Sequence, residues 1–336
     1  MIKSLFLFVL LFCRFHESTA AVLESEQEIL HQINLLQKQL KIAEEQKDWK
    51  KIEEYLTLVL RYCSRLKNGN PNKTAIQYGA SSRMGVAKFY LKKYQESIYY
   101  LEQALSFNIE ENENILNHKL DMQTGLASAY TILGNREKAL FYFNQAKQRI
   151  VILEKSADRY KPHILERLYF FYTARSDFFE SVRQYDKALH ALCHIKTFFE
   201  QAEAENDLLY PMIIYKTGRI HYASGKWDVA ADCFSQALDV FISENKFPEQ
   251  SFLYLIRTLE KSGNPEKAFQ VSQRYLNSVT HFPAGEKRKK YLAIILFCMG
   301  KICDLQGNGK EAEQYKKKAA ELGSPSFLKQ SYQSVL

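Results

Sequence analysis

Residues 125–146, GLASAYTILGNREKALFYFNQA, and residues 218–237, GRIHYASGKWDVAADCFSQA, run through the same order of side chains. In each, a small residue and then a tyrosine lead to a glycine, Gly134 or Gly225. An alanine follows, Ala139 or Ala230, then an aromatic, Phe143 or Phe234, and a second alanine, Ala146 or Ala237. Offsets of four and three residues put the last three on one face of a helix. The glycine is a helix stop, so a second helix returns antiparallel to the first. Alanine permits close approach of the two helices, and the aromatic one turn later fills the space beside it.

Weaker copies extend the pattern in both directions. Ser97, Ala188, Ala268 and Ala312 take the alanine role, and Ile52, after Asp48 and Trp49, marks a poorer first copy. The sixth copy has Pro265 and Ser272 where the strong copies have aromatics. From Ser97 onward the spacings are 42, 49, 42, 38 and 44 residues, longer than the roughly 34 of a standard helix-pair repeat, so the helices are longer too. Each pair leaves one apolar side uncovered, and stacking against the next pair is what buries it. The expected fold is all-α, with about seven antiparallel helix pairs near 23–66, 72–109, 111–154, 160–203, 206–243, 248–278 and 286–322. Asn68-Gly69-Asn70-Pro71, Lys161-Pro162 and His281 to Gly285 separate pairs with sequences that disfavour helix. Ser324-Pro325 opens a short closing helix in the segment 323–336, expected to cover the last apolar face.

Both strong segments resemble tetratricopeptide repeats, and the likeness extends over roughly residues 23–322. The resemblance implies a right-handed superhelical solenoid and a role in binding proteins or peptides, without catalysis, on a concave face lined by the first helix of each pair. Long-repeat members of that family include bacterial peptide-sensing regulators. Counting eleven residues back from Ala230, Ala268 and Ala312 reaches Arg219, Arg257 and Lys301. The same count in earlier copies reaches Lys41, Val86, Ser128 and Asp177, so the cations gather in the C-terminal half. Such a stripe would favour an acidic segment or a free carboxyl terminus, with Tyr215 and Tyr222 supplying apolar contact and hydrogen-bonding tips. The competing reading pairs these cations with Glu260, Asp304 and their neighbours. The functional classes rank as a protein- or peptide-binding scaffold, then an exported sensor that captures a small peptide, then an enzyme of unrecognised type.

Composition narrows the field. The 336 residues carry 46% hydrophobic and 25% charged side chains, which is globular rather than disordered. Net charge is +8 with both signs interspersed, and no nucleic-acid-reading motif accompanies it, so a nucleic-acid partner is not expected. The basic cluster Lys287-Arg288-Lys289-Lys290 is read as a solvated helix start. Residues 1–20 have the form of an export signal: Lys3, an apolar run Leu5 to Phe12, and small residues Ser18, Thr19 and Ala20. Cleavage after Ala20 would leave an exported, periplasmic or secreted, repeat domain over 21–322 with no stable membrane span. An uncleaved signal would tether it.

Cys63, Cys193, Cys233, Cys298 and Cys303 are an odd set without a Cys-x-x-Cys pair, read as small buried side chains, with a Cys298–Cys303 bond worth testing. His-Glu-x-x-His, Gly-x-Ser-x-Gly and dinucleotide-binding glycine patterns do not occur, and neither a cofactor nor a metal is expected. His190 and His194, four apart, could share a metal on one helix face. No third ligand is evident, and the pair is read as ordinary helix-face histidines. The run Tyr169-Phe170-Phe171-Tyr172 is read as packing between repeats.

Overall fold

The computed structural model describes residues 25–204, 207–244 and 246–333, so the export-signal reading of residues 1–20 lies outside the described residues. Fifteen α-helices occupy that span. Fourteen form pairs: α1 (Glu26–Glu45) with α2 (Trp49–Ser64), α3 (Lys73–Tyr90) with α4 (Tyr94–Ser106), α5 (Glu113–Ile132) with α6 (Arg136–Lys155), α7 (Pro162–Ser181) with α8 (Tyr185–Gln201), α9 (Leu209–Ala223) with α10 (Trp227–Ser243), α11 (Glu249–Lys261) with α12 (Pro265–Thr280), and α13 (Glu286–Leu305) with α14 (Gly309–Leu322). A last helix, α15 (Pro325–Gln333), stands alone. The fold is an all-helical repeat solenoid.

One turn closes every pair. Five residues before Ile52, Ser97, Ala139, Ala188, Ala230, Ala268 and Ala312 stand Lys47, Lys92, Gly134, Arg183, Gly225, Gly263 and Gly307, all with φ between 54° and 79°. The next amide in each turn donates to the carbonyl five residues back, as Asn135 does to Tyr130 at 2.9 Å, Gln184 to Phe179 at 2.8 Å and Lys226 to His221 at 2.9 Å. This bond and the left-handed residue satisfy the carbonyls that a helix end leaves open. Glycine takes that conformation freely, so four turns are unstrained, while Lys47, Lys92 and Arg183 hold it against their own Cβ.

The returning helix then meets its partner at a fixed point. Twelve residues before the alanine-role position stand Leu40, Gly85, Ala127, Ser176, Gly218, Ile256 and Gly300, all buried. At Gly218 the approach leaves no room for a side chain, since a Cβ would lie 2.9 Å from Phe234 Cε1. Ser97 spends its hydroxyl on the carbonyl of Gly85 at 2.7 Å, which is how a serine serves where its counterparts are alanines. The aromatic-role position is filled by whatever fits. Phe143 and Phe234 are fully buried. The sixth pair replaces the missing aromatic with Phe252 and Tyr275, whose rings meet edge-on at 6.1 Å. In the seventh, the stem of Lys316 lies where a Cβ on Gly300 would be, 2.9 Å away, while its ammonium reaches Asp304 at 2.6 Å.

The chain forms two compact units, residues 1–145 and 146–336. The core of the first is built from Ile29, Ile33, Leu40, Ile52, Leu56, Val59, Cys63 and Met84. The second is centred on Phe234, Phe252, Ile256, Tyr275, Ile295, Met299 and Ile302. All five described cysteines are free, Cys298 and Cys303 included, and burial pushes the Cys298 thiol well above its ordinary range. No described helix is long and apolar enough to cross a membrane.

Because the left-handed turn residue sets local strain, Arg183→Gly raises stability by about 0.5–1 kcal/mol, and Gly225→Ala lowers it by about 1 kcal/mol. Urea unfolding midpoints of the two variants, which move in opposite directions, check this.

Candidate binding surface

Within each unit, successive first helices pack on one another: α3 on α5 in the first, and α7 on α9, α9 on α11 and α11 on α13 in the second. In the second unit, no contact of that extent joins α8 to α10, α10 to α12 or α12 to α14. The first helices are therefore the more closely packed side of the second unit, and their outer turns form its inner face.

On that face, charged side chains meet from one first helix to the next. Arg83 on α3 donates to Glu44 on α1 at 3.0 Å. Lys216 on α9 reaches both carboxylate oxygens of Asp177 on α7, at 2.6 and 2.7 Å. One turn on, Arg219 reaches both oxygens of Glu180, at 3.0 and 3.1 Å. The last two pairs share one register, three residues apart on each helix of the second unit, whereas Glu44 and Arg83, in the first unit, stand eight and fourteen residues before their own alanine-role positions.

The next rung is different. The position of Glu180 is taken by Tyr222 in the fifth pair, so Arg257 on α11 has no acid waiting on α9. It turns instead to Glu260 one turn along its own helix, at 2.9 Å, and to Tyr332 on α15, whose ring lies 4.8 Å from the guanidinium. The Tyr332 hydroxyl donates to Glu260, and its ring meets Phe297 of α13 edge-on at 6.0 Å. Burial and the adjacent Glu260 carboxylate push the Tyr332 phenol far above its usual range. Lys301 lies 5.9 Å from the Phe297 ring and has no ion pair among the described residues. Asp304 pairs with Lys316 rather than with Lys301.

The other residues singled out in the sequence fall into place around this lane. Tyr215 is buried, packed against Phe234 and Tyr254, with its hydroxyl 3.4 Å from Gln250. Tyr222 is half-buried beneath the ammonium of Lys261, at 4.8 Å, which also faces Trp227 at 5.1 Å. Ala139, Phe143, Ala146, Ala230, Phe234, Ala237 and Ala312 are all buried at helix contacts.

His194 is held by Glu154, Nε2 to Oε1 at 2.9 Å, and its ring lies 4.7 Å from Tyr172, which donates to the same carboxylate. Among the described residues no three His, Cys, Asp or Glu side chains group as metal ligands. Tyr169, Phe171 and Tyr172 are buried, and only Phe170 of that run faces solvent. In the basic cluster, Lys289 pairs with Glu286 at 2.9 Å and Lys290 with Glu249 at 2.7 Å, while Arg288 caps the carbonyl of Phe282 at 3.1 Å. The role of Tyr332 was missed from sequence. Its one signal was Leu328 and Tyr332 four residues apart, an apolar pair on one side of the closing helix.

No protein-family model matches the chain, and no curated protein matches it. Solved structures do. The apo form of RapI is 13% identical over 88% of this chain and 97% of its own, with a TM-score of 0.52. Aspartyl phosphate phosphatase F from Bacillus subtilis is 15% identical over 92% of this chain and 73% of its own, with a TM-score of 0.52. A Rap protein complexed with Competence and Sporulation Factor is 16% identical over 93% of this chain and 98% of its own, with a TM-score of 0.50. At these identities the likeness is one of fold, a helical repeat of the tetratricopeptide kind.

Removing the Arg257 side chain leaves Glu260, only 7% exposed, with the Tyr332 hydroxyl but no counter-charge, so Arg257→Ala costs on the order of 2 kcal/mol. Lys301→Ala, with no ion pair to lose, stays within about 0.5 kcal/mol of wild type. Urea unfolding of the two variants measures the contrast.

Proposed function

We propose that this chain is a non-catalytic scaffold that binds a protein or peptide along the inner, first-helix face. The observation that carries this reading is the run of ion pairs between adjacent first helices of the second unit, Asp177 with Lys216 and Glu180 with Arg219. The acids of these pairs stay partly open to solvent, Asp177 at 44% and Glu180 at 20%, so an incoming carboxylate competes with them for the cations. The spacing between rungs gives the exchange a register, which sets partner choice more than affinity. Arg219 is half-buried beside Glu180, and Lys301 carries no resident acid, so an acidic segment or a free carboxyl terminus is the partner chemistry this lane fits.

A second reading is an exported sensor that captures a small peptide. It is supported by the similar fold of the Rap protein complexed with Competence and Sporulation Factor. Under either reading, residues 1–20 are proposed to direct export and to be removed after Ala20, giving a mature chain whose amino-terminal sequencing begins at Ala21.

Photo-crosslinking residues placed one at a time at Lys301 and Ser128, on first helices, and at Tyr99 and Phe141, exposed on second helices, test the surface. Adducts from the native exported fraction form at the first two positions and not at the last two. Equal adducts at all four would overturn the inner-face reading.

A further inference from the structure

We infer that the inner face of the last two repeats is a receptor for a short amphipathic helix with a leucine and a tyrosine four residues apart, and that the chain's own C-terminal helix occupies it. The inference rests on the inner-face reading above and names both an occupant and the partner that would replace it.

Helix α15 has nine residues, and two of them, Leu328 and Tyr332, are buried. It rests chiefly on α13, yet Tyr332 extends past that helix to Arg257 and Glu260 of α11. A helix that only closed the end of a stack would be satisfied on the last pair. This one reaches back along the inner face to the pair before. It also arrives where the ladder lacks a rung, because Tyr222 stands where Glu180 stands one repeat earlier. Tyr332 therefore takes the place of the missing acid: its ring covers the guanidinium and its hydroxyl engages Glu260.

The fit is incomplete in a way that defines a better ligand. Arg257 Nε is buried and has no hydrogen-bond partner among the described residues, while its Nη1 meets the Tyr332 hydroxyl only at 3.4 Å. A buried donor without an acceptor is a standing cost. A partner helix that keeps the leucine and tyrosine and adds a carboxylate beside them would supply the acceptor that α15 lacks. The tether from Leu322 to Pro325 is two residues, so α15 is present at high effective concentration, and only such a better-matched helix displaces it.

The test uses the full chain. A fluorescent synthetic peptide of residues 324–336 is titrated into the wild type and into the double variant Leu328→Ala, Tyr332→Ala, whose own helix no longer holds the site. The variant binds at least tenfold more tightly than the wild type, and a Tyr332→Phe peptide binds it severalfold more weakly than the natural sequence. Equal binding to both chains overturns the inference, as does no binding to a variant whose circular dichroism and thermal midpoint stay near those of wild type.

Hydrogen exchange on the wild-type chain guards against a variant that fails to fold. Amides of α15 exchange at least tenfold faster than those of α13, whereas equal protection would make α15 a fixed part of the core and overturn the inference. Failure here leaves the crosslinking contrast between Lys301 and Phe141 unaffected, so the two readings fail separately.

Discussion

The close crossing of first and second helices, twelve residues apart in sequence, is the constraint on which the rest of the structure depends. A left-handed residue and its backbone bond five carbonyls back fix the direction of the returning helix. A small or shape-matched pair then fixes the distance. Gly300 brings its backbone to the carbonyl of Ala312, Gly85 offers its carbonyl to the Ser97 hydroxyl, and Gly218 makes room for the Phe234 ring. With direction and distance set seven times, the first helices of each unit fall side by side, and residues eight, eleven and fourteen positions before the crossing meet between repeats.

That geometry explains why the ion pairs are spaced as they are. Asp177 and Glu180 project from one first helix, Lys216 and Arg219 from the next, and the two pairs close because consecutive crossings hold the helices in matching register. Lys316 shows the same economy inside one repeat. Its methylenes fill the space that an aromatic fills elsewhere, and its ammonium is left to meet Asp304.

Much of this was legible in the sequence. The glycine, alanine, aromatic and alanine order identified both strong repeats, and every helix pair lies within three residues of the limits read from spacing and breakers. Arg219, Arg257 and Lys301 were recognisable as equivalent positions by counting alone. Their partners were less accessible. Glu180 sits in the preceding repeat, so the Arg219 contact depends on how two pairs stack, and a periodicity read within a single pair does not contain it. Arg257 and Glu260, three apart on one helix, could be paired by inspection, and the structure pairs them. Tyr332 lies 75 residues from Arg257, and nothing local announces the contact. The left-handed turns at Lys47, Lys92 and Arg183 were also hidden, because without glycine the only clue is the register itself.

The cationic stripe read from sequence is thus better described as a row of cations with different occupants. Arg219 is held by a carboxylate from the preceding helix, Arg257 by its own helix and the C-terminal tyrosine, and Lys301 by an aromatic ring alone. Net charge along the row is small wherever an acid is resident and positive where it is not. Under the proposed reading, an acidic partner is drawn first to Lys301, where no carboxylate must leave. From there the neighbouring site is Arg257, whose acceptor is incomplete, and only then Arg219, whose acid must be displaced. The order of occupancy is set by what each cation already holds, and the charge count of +8 carries none of it.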